Sequence, residues 1–392
     1  VSLGRDTVVG VLGAGAMGTG IAQVAAQRGH RVVLTDARAE SVANAKRTLA
    51  KAFAREVEKG RLTADAATAA LEGMTFHSGT DMAPFAPCGL VIEAIVESLP
   101  VKQEAFRALE AVVAPTAVLA SNTSSLSIAA IAGGVTHRAR VCGIHFFNPA
   151  PVMPLVEVIP WLGSDPAIVA AAHALVAGWG KTVVRASDTP GFIVNRIARP
   201  YYGEALRIHD EGIADAATID HAMRALGFKM GPFELMDLIG LDVNFAVTMS
   251  VFEAFFFDPR YRPSLTQRRL VEAGWLGKKA GRGFYDHAEG ATPPAPSPDA
   301  ALHATVQDRI LAMLINEAVD ALHLRVATAA DIEVAMQKGV NYPKGLLAWC
   351  DELGAATVLA RLEALVARYG EDRYRPSVKL RDLAASGAKA LA

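Results

Sequence analysis

GVLGAGAMGTG, residues Gly10 to Gly20, sets Gly13, Gly15 and Gly18 at the spacing G-x-G-x-x-G. The residues leading into it, TVVGVL, are apolar and β-branched and predict a short buried strand. The residues after it, AMGTGIAQVAAQRGH, predict a helix that closes at Gly29. Between a strand and a helix, such glycines serve a tight turn, close approach of backbone to a pyrophosphate, and close helix–strand packing. The helix start, with Ala16 and Met17, adds N–H groups and the positive end of a dipole. A second strand, RVVLTD, ends in Asp36. A carboxylate there takes ribose hydroxyls and repels a 2′-phosphate, which points to NAD over NADP, with Arg38 nearby working against that preference.

Working outward, Glu40–Gly60 and Thr63–Glu72 read as helices, and GLVIEAIVE, AVLASN and RVCGIHFF as buried parallel strands. PVMPLVEVI and KTVVRA add two more strands. Strands alternating with helices predict an α/β, Rossmann-like sheet covered on both faces over residues 1–188. After Asp188-Thr189-Pro190-Gly191 the pattern becomes all-helical. A helical domain spans 189–286, a proline-rich linker 287–300, and a second helical unit 301–392.

The second unit repeats the first. RIARPYYGEALRIHDEGIADAATIDHAM aligns with RILAMLINEAVDALHLRVATAADIEVAM. MGPFELMDLIG aligns with KGLLAWCDELG, and YRPS recurs at Tyr261 and Tyr374. The DTPGF lead-in and Asn195 occur in the first copy alone, with Asp308 opposite Asn195. The first copy is therefore expected to bear site residues and the second to be structural, its pairing with the first making an internal pseudo-dimer.

Composition narrows the function classes. A net charge of −1 over 392 residues argues against nucleic-acid binding by bulk electrostatics. Cys88, Cys142 and Cys350 are too scattered for a disulfide framework or a zinc site, so no metal is expected and a reducing cytoplasm fits. No signal peptide and no apolar run long enough for a membrane span is read.

SNTSS and HFFNP each follow a predicted strand, where the ligand crevice of such a sheet lies. His145 at a strand end is a candidate general base. Glu157, inside the apolar LVEVI, is costly to bury unless it has a partner, and His145 is available.

The motifs GAGAMG, VIEAIVE, SNTSSLSI, HFFNPAPVMPLVEVI, DTPGFIVNRI, GPFELMDLIGLD and GKKAGRGFY resemble those of the L-3-hydroxyacyl-CoA dehydrogenases from Thr7 to about Tyr285. The tandem helical units are similar to those of longer bacterial members, of the 3-hydroxyadipyl-CoA and 3-hydroxybutyryl-CoA type. The chain departs from them in having only the proline-rich linker where a long segment usually lies. The resemblance implies reversible, NAD-dependent oxidation of an acyl-CoA substrate at its 3-hydroxyl. It implies His145 as the base, Glu157 as its support, and Ser124 at the substrate oxygen. It places Asn195 on the substrate from the helical side, with the acyl chain in a crevice beside the helical domain. Glu97, Lys102, Asn148 and Lys279 match positions that touch NAD. Lys59, with Arg61 beside it, matches the CoA-binding position, whereas the usual serine is Ala52. A related dehydrogenase of a non-CoA hydroxy acid or sugar acid is the alternative, and a non-catalytic NAD-binding protein a lesser one. As to assembly, the resemblance allows a homodimer, and the repeat allows a monomer carrying its own pseudo-dimer.

Overall fold

The structure, a computed structural model, describes residues 3–391. Two compact units follow one another, Val1–Thr189 and Pro190–Ala392.

The first unit is an eight-stranded sheet in the order β3-β2-β1-β4-β5-β6-β7-β8. The strands are β1 (Val9–Leu12), β2 (Val32–Asp36), β3 (Met74–Ser78), β4 (Leu90–Glu93), β5 (Val118–Ser121), β6 (Val141–Phe146), β7 (Leu155–Pro160) and β8 (Thr182–Arg185). Six of the seven pairings are parallel; β6 and β7 are antiparallel. The helices of this unit are α1 (Ala16–Gln27), α2 (Ala39–Glu58), α3 (Ala64–Glu72), α4 (Leu99–Glu110), α5 (Ile128–Ala132) and α6 (Pro166–Gly178). Val9, Val11, Ile21, Leu34, Ile92, Val118 and Ile144 form its fully buried core. Strand order reverses between β1 and β4, and ligands of open α/β sheets bind outside the carboxyl ends of the strands at such a point.

One strand was not foreseen. MTFHS forms β3, the sheet edge, where three of five residues are exposed, so it carries no continuous apolar run. The antiparallel β7 has a plain cause. The link 147–154 is shorter than the dozen or so residues a parallel crossover needs.

The second unit holds α7 (Val194–Ile197), α8 (Arg199–Asp210), α9 (Ala216–Ala225), α10 (Pro232–Ile239), α11 (Leu241–Ala254) and α12 (Leu265–Glu272), then α13 (Ala300–His323), α14 (Ala329–Gly339), α15 (Leu346–Leu353), α16 (Ala355–Tyr369) and α17 (Val378–Ser386). The sequence repeat is a structural one down to its caps. Asp220 accepts the N–H groups of Phe233 and Glu234 at the start of α10, and Glu333 those of Leu347 and Ala348 at the start of α15. The bend after α10 turns on Gly240 (φ 101°), and that after α15 on Gly354 (φ 83°), conformations that favour glycine.

Both copies lie in this one unit, α13 packed against α8. Their central ion pairs are exchanged. Arg196 of the first copy donates to Glu317 of the second at 2.6 Å, joined by the Tyr261 hydroxyl at 2.6 Å. Arg309 of the second donates to Glu204 of the first, joined by the Tyr374 hydroxyl at 2.8 Å. Each arginine, glutamate and tyrosine has its counterpart at the aligned position of the repeat, so the pairing is self-complementary in the manner of an isologous interface. Both glutamates are fully buried. Among the described residues no single helix is long and apolar enough to cross a membrane.

Candidate active site

The β6–β7 pairing sets the central couple. Register places His145 directly across from Glu157. Their side chains meet with Nδ1 2.7 Å from Oε2. The carboxylate is fully buried and the imidazole nearly so, packed against Phe147 with ring centroids 4.5 Å apart. A buried carboxylate this close accepts a hydrogen bond from Nδ1–H, which fixes the tautomer and leaves Nε2 as the proton acceptor. Asn122, at the end of β5, accepts the Phe146 N–H at 2.8 Å and anchors the strand beside His145. Asn148 follows on the surface, in a cis peptide with Pro149.

A second polar cluster lies at the end of β4. Lys102 is 1 % exposed, with Nζ 2.6 Å from Glu93 Oε1 and 3.2 Å from Glu97 Oε2. Ser121 donates to the other oxygen of Glu93. Glu97 accepts the hydroxyls of Thr123 and Ser125 and the Ser124 N–H, the last at 3.3 Å. Lys102 and Glu97 thus act together to hold the SNTSS loop. Burial alone would raise the Glu97 carboxyl, but the Lys102 ammonium and the two hydroxyls outweigh it and hold it below its ordinary range. Glu93 was not singled out from the sequence. A carboxylate inside the apolar LVIE run was the available signal, the same one that pointed to Glu157. Asp188 was missed as a side chain too. Its carboxylate accepts Ser127 Oγ and the Ile128 and Ala129 N–H groups at 3.0, 2.8 and 2.7 Å, closing the other end of that loop.

The glycine turn separates what the fold requires from what it does not. Gly13 has φ 109°, and a side chain there would run into the Ala94 carbonyl; one on Gly18 would overlap the Gly13 carbonyl oxygen. Gly15 has an ordinary φ of −70°, and a Cβ there meets nothing within 4 Å. Packing therefore explains Gly13 and Gly18 but leaves Gly15 to a ligand. It caps α1, beside Ala16 and Met17, and α1 has neither a side-chain cap nor an acidic residue in its first turn. Its N–H groups suit a pyrophosphate. Asp36 accepts the Ala14 N–H at 2.8 Å and the Arg38 N–H at 2.9 Å, which ties its carboxylate to the turn. These residues fit NAD.

On α2, Lys59 is exposed beyond the last turn, and Arg61 lies 3.7 Å from Glu56. Arg47, Lys51 and Arg55 precede Lys59 at intervals of four, so the four exposed cations share one helix face. The three earlier ones were missed; their spacing was the signal. Ala52 is half-buried on the same helix. In the second unit, Asn195 lies in α7. Lys279 is half-exposed and paired with Asp242 at 2.6 Å.

The model of the 3-hydroxyacyl-CoA dehydrogenase NAD binding domain matches residues 8–189, and that of the C-terminal domain of the same enzymes matches 191–287 and 306–390. The chain belongs to the 3-hydroxyacyl-CoA dehydrogenase family. Its cofactor is NAD, and it is an oxidoreductase of the class that oxidises 3-hydroxyacyl-CoA. The helical match comes in two parts that bracket the proline-rich linker. A 3-hydroxyadipyl-CoA dehydrogenase of Escherichia coli is 40 % identical, covering 96 % of this chain and 97 % of the relative. That alignment runs over 462 positions, more than this chain has, so the relative carries residues absent here. A 3-hydroxybutyryl-CoA dehydrogenase of Bradyrhizobium diazoefficiens is 44 % identical over 73 % of the chain and 96 % of its own length. The crystal structure of a 3-hydroxybutyryl-CoA dehydrogenase from E. coli superimposes with a TM-score of 0.91, at 39 % identity, covering 98 % of this chain and all of that one.

Two predictions follow from the turn and the loop. Gly15→Ala is expected to keep stability within about 0.5 kcal/mol yet weaken NADH binding at least ~10-fold, whereas Gly18→Ala loses about 2 kcal/mol or more through overpacking. Chemical denaturation and NADH titration of both variants check this; equal stability losses would contradict it. Glu97→Gln mimics the protonated carboxyl at neutral pH and is expected to weaken NADH binding by roughly 3–10-fold, the scale of one lost charge-assisted hydrogen bond. Because this carboxyl sits below its ordinary value of 4.5, its stabilisation is present above that pH and is lost only as pH falls through the lowered value. NADH affinity that already declines between pH 7 and pH 5 in the wild type but not in Glu97→Gln would contradict this.

Proposed function

We propose that the chain oxidises an L-3-hydroxyacyl-CoA to the 3-oxoacyl-CoA, reversibly, with His145 as general base and Glu157 as its support. The observation that carries the reading is the 2.7 Å approach of His145 Nδ1 to the buried Glu157 carboxylate. With Nδ1 committed to Glu157, Nε2 receives the proton from the 3-hydroxyl. The carboxylate then stabilises the imidazolium, as in other His–carboxylate couples. NAD held by the glycine turn and Asp36 would supply the acceptor for the hydride that leaves C3. In the other direction His145 returns the proton to the 3-oxo oxygen.

Around this couple the proposal assigns Ser124 to the substrate oxygen, its loop held by Glu97 and Asp188. Gly13, Gly15, Ala16, Met17 and Gly18 hold the pyrophosphate, Asp36 the ribose, and Glu97, Lys102, Asn148 and Lys279 the rest of the cofactor site. Lys102 acts through Glu97. Asn195 acts on the substrate. The cationic face of α2, ending at Lys59, supplies the charge that CoA phosphates need and supports a CoA thioester over a free hydroxy acid. The acyl groups named by the relatives, 3-hydroxybutyryl and 3-hydroxyadipyl, are the substrates to test first. Breakdown of fatty acids or of phenylacetate is the matching setting, and a cytoplasmic location accords with three buried, unpaired cysteines. The self-complementary pairing of α8 with α13 supports a monomer that carries its own pseudo-dimer; a homodimer would form through a different surface.

His145→Gln is expected to lower kcat for NADH-dependent reduction of acetoacetyl-CoA by roughly 10³-fold or more while leaving the NADH Kd within ~2-fold. Glu157→Gln is expected to lower kcat by a smaller but still large factor. Turnover retained by His145→Gln would sink the proposal. Reversing the α2 charges in Arg55→Glu/Lys59→Glu is expected to raise KM for acetoacetyl-CoA roughly 10-fold at low salt, with the effect shrinking as salt rises. An unchanged KM would remove α2 from CoA binding and favour a non-CoA hydroxy acid.

A further inference from the structure

Asn195 stands on a weak local support. α7 is a single turn, Val194–Ile197, with no side-chain cap. The chain enters it through two left-handed residues, Gly191 (φ 73°) and Phe192 (φ 49°), the second uncommon for a bulky side chain. One helical turn has no stability of its own, so tertiary contacts must fix it.

Two buried arginines supply many of these contacts. Arg199 donates through Nε to the Asn195 carbonyl at 2.9 Å and through Nη1 to Thr248 Oγ1 at 3.1 Å. Arg196, the residue after Asn195, is 1 % exposed. Its Nε lies 2.6 Å from Glu317 Oε1 and its Nη2 3.0 Å from Asp320 Oδ2. The guanidinium also sits over the Phe255 ring, 5.2 Å from its centroid. Glu317 is held in turn by the Tyr261 hydroxyl and by Arg260. Burial opposes the charge on Arg196, and the Glu317 carboxylate outweighs it. Glu317 and Asp320 both belong to α13, in the second copy of the repeat.

We propose that Glu317 is a positioning residue for the dehydrogenase reaction: through Arg196 it fixes α7 and thereby sets the Asn195 side chain on the substrate. The second helical copy is then part of the catalytic apparatus and not only a structural duplicate. The proposal rests on the reading that Asn195 acts on the substrate.

The pseudo-symmetry of the fold provides the control. Glu204 makes the equivalent bonds to Arg309 and Tyr374, and among the described residues its carboxylate has no hydrogen bond or ion pair to an α7 side chain. Loss of packing or charge balance therefore affects Glu204→Gln and Glu317→Gln alike, but misplacement of Asn195 follows from Glu317→Gln alone. The test uses the full chain in five forms: wild type, Asn195→Ala, Glu317→Gln, the double variant, and Glu204→Gln. kcat/KM with acetoacetyl-CoA, the NADH Kd and the thermal midpoint are measured for each.

Asn195→Ala and Glu317→Gln are each expected to lower kcat/KM by roughly 10–100-fold, the scale of a misplacement near 1 Å, with the NADH Kd within ~2-fold of wild type. The double variant is expected to lie within ~3-fold of the worse single one, because both changes remove the same contribution. Glu204→Gln is expected to lower the midpoint comparably and to keep kcat/KM within ~3-fold of wild type. If Asn195→Ala loses activity and Glu317→Gln loses no more than Glu204→Gln, the positioning role is overturned and the reading of Asn195 stands. Losses that multiply in the double variant overturn it as well. If Asn195→Ala keeps full activity, the substrate reading fails and the proposal fails with it. Should Glu317→Gln not fold, Arg196→Lys keeps the charge but not the two-pronged contact, and the same comparisons apply to it.

Discussion

A buried carboxylate needs a partner, and Glu157 meets His145. Placing an ionisable group in the middle of an apolar strand is costly, and an opposing imidazole 2.7 Å away offsets that cost while the carboxylate orients the ring. The antiparallel β6–β7 turn creates the pairing, because register sets the two residues directly across from each other. The same constraint recurs in β4. Glu93 is fully buried and is neutralised by Lys102, which also reaches Glu97 and so organises the loop of Ser124. In both cases an expensive buried carboxylate inside an apolar strand is matched by a nitrogen-bearing side chain within 2.7 Å.

The glycine turn shows why a motif has to be divided residue by residue. Gly13 and Gly18 are required by the backbone and by neighbouring atoms whether or not a ligand binds. Gly15 is not, and the open space where its side chain would stand is the part of the motif that speaks of a cofactor. Asp36 is held by the backbone of the same turn, through the Ala14 N–H.

Much of this was legible in the sequence. Apolar runs marked seven of the eight strands, and the repeat in the helical half was visible as aligned text. His145 and Glu157 were legible because a charge in an apolar strand has few explanations. β3 was not, because an exposed edge strand shows neither a continuous apolar run nor clear alternation. Glu93 and Asp188 were overlooked although their motifs were in view, since a single chain does not show which N–H or ammonium a carboxylate meets. The exchanged pairs Arg196–Glu317 and Arg309–Glu204 were hidden for the same reason. The repeat shows that the residues correspond, but not that each copy supplies the counter-charge of the other.

The most direct test of the account is a crystal structure of the full chain with NAD and acetoacetyl-CoA. The 3-oxo oxygen is expected within about 2.6–3.2 Å of His145 Nε2, with Nδ1 still on Glu157. A 3-oxo oxygen well beyond hydrogen-bond reach of Nε2, or held by another acid instead, would contradict it.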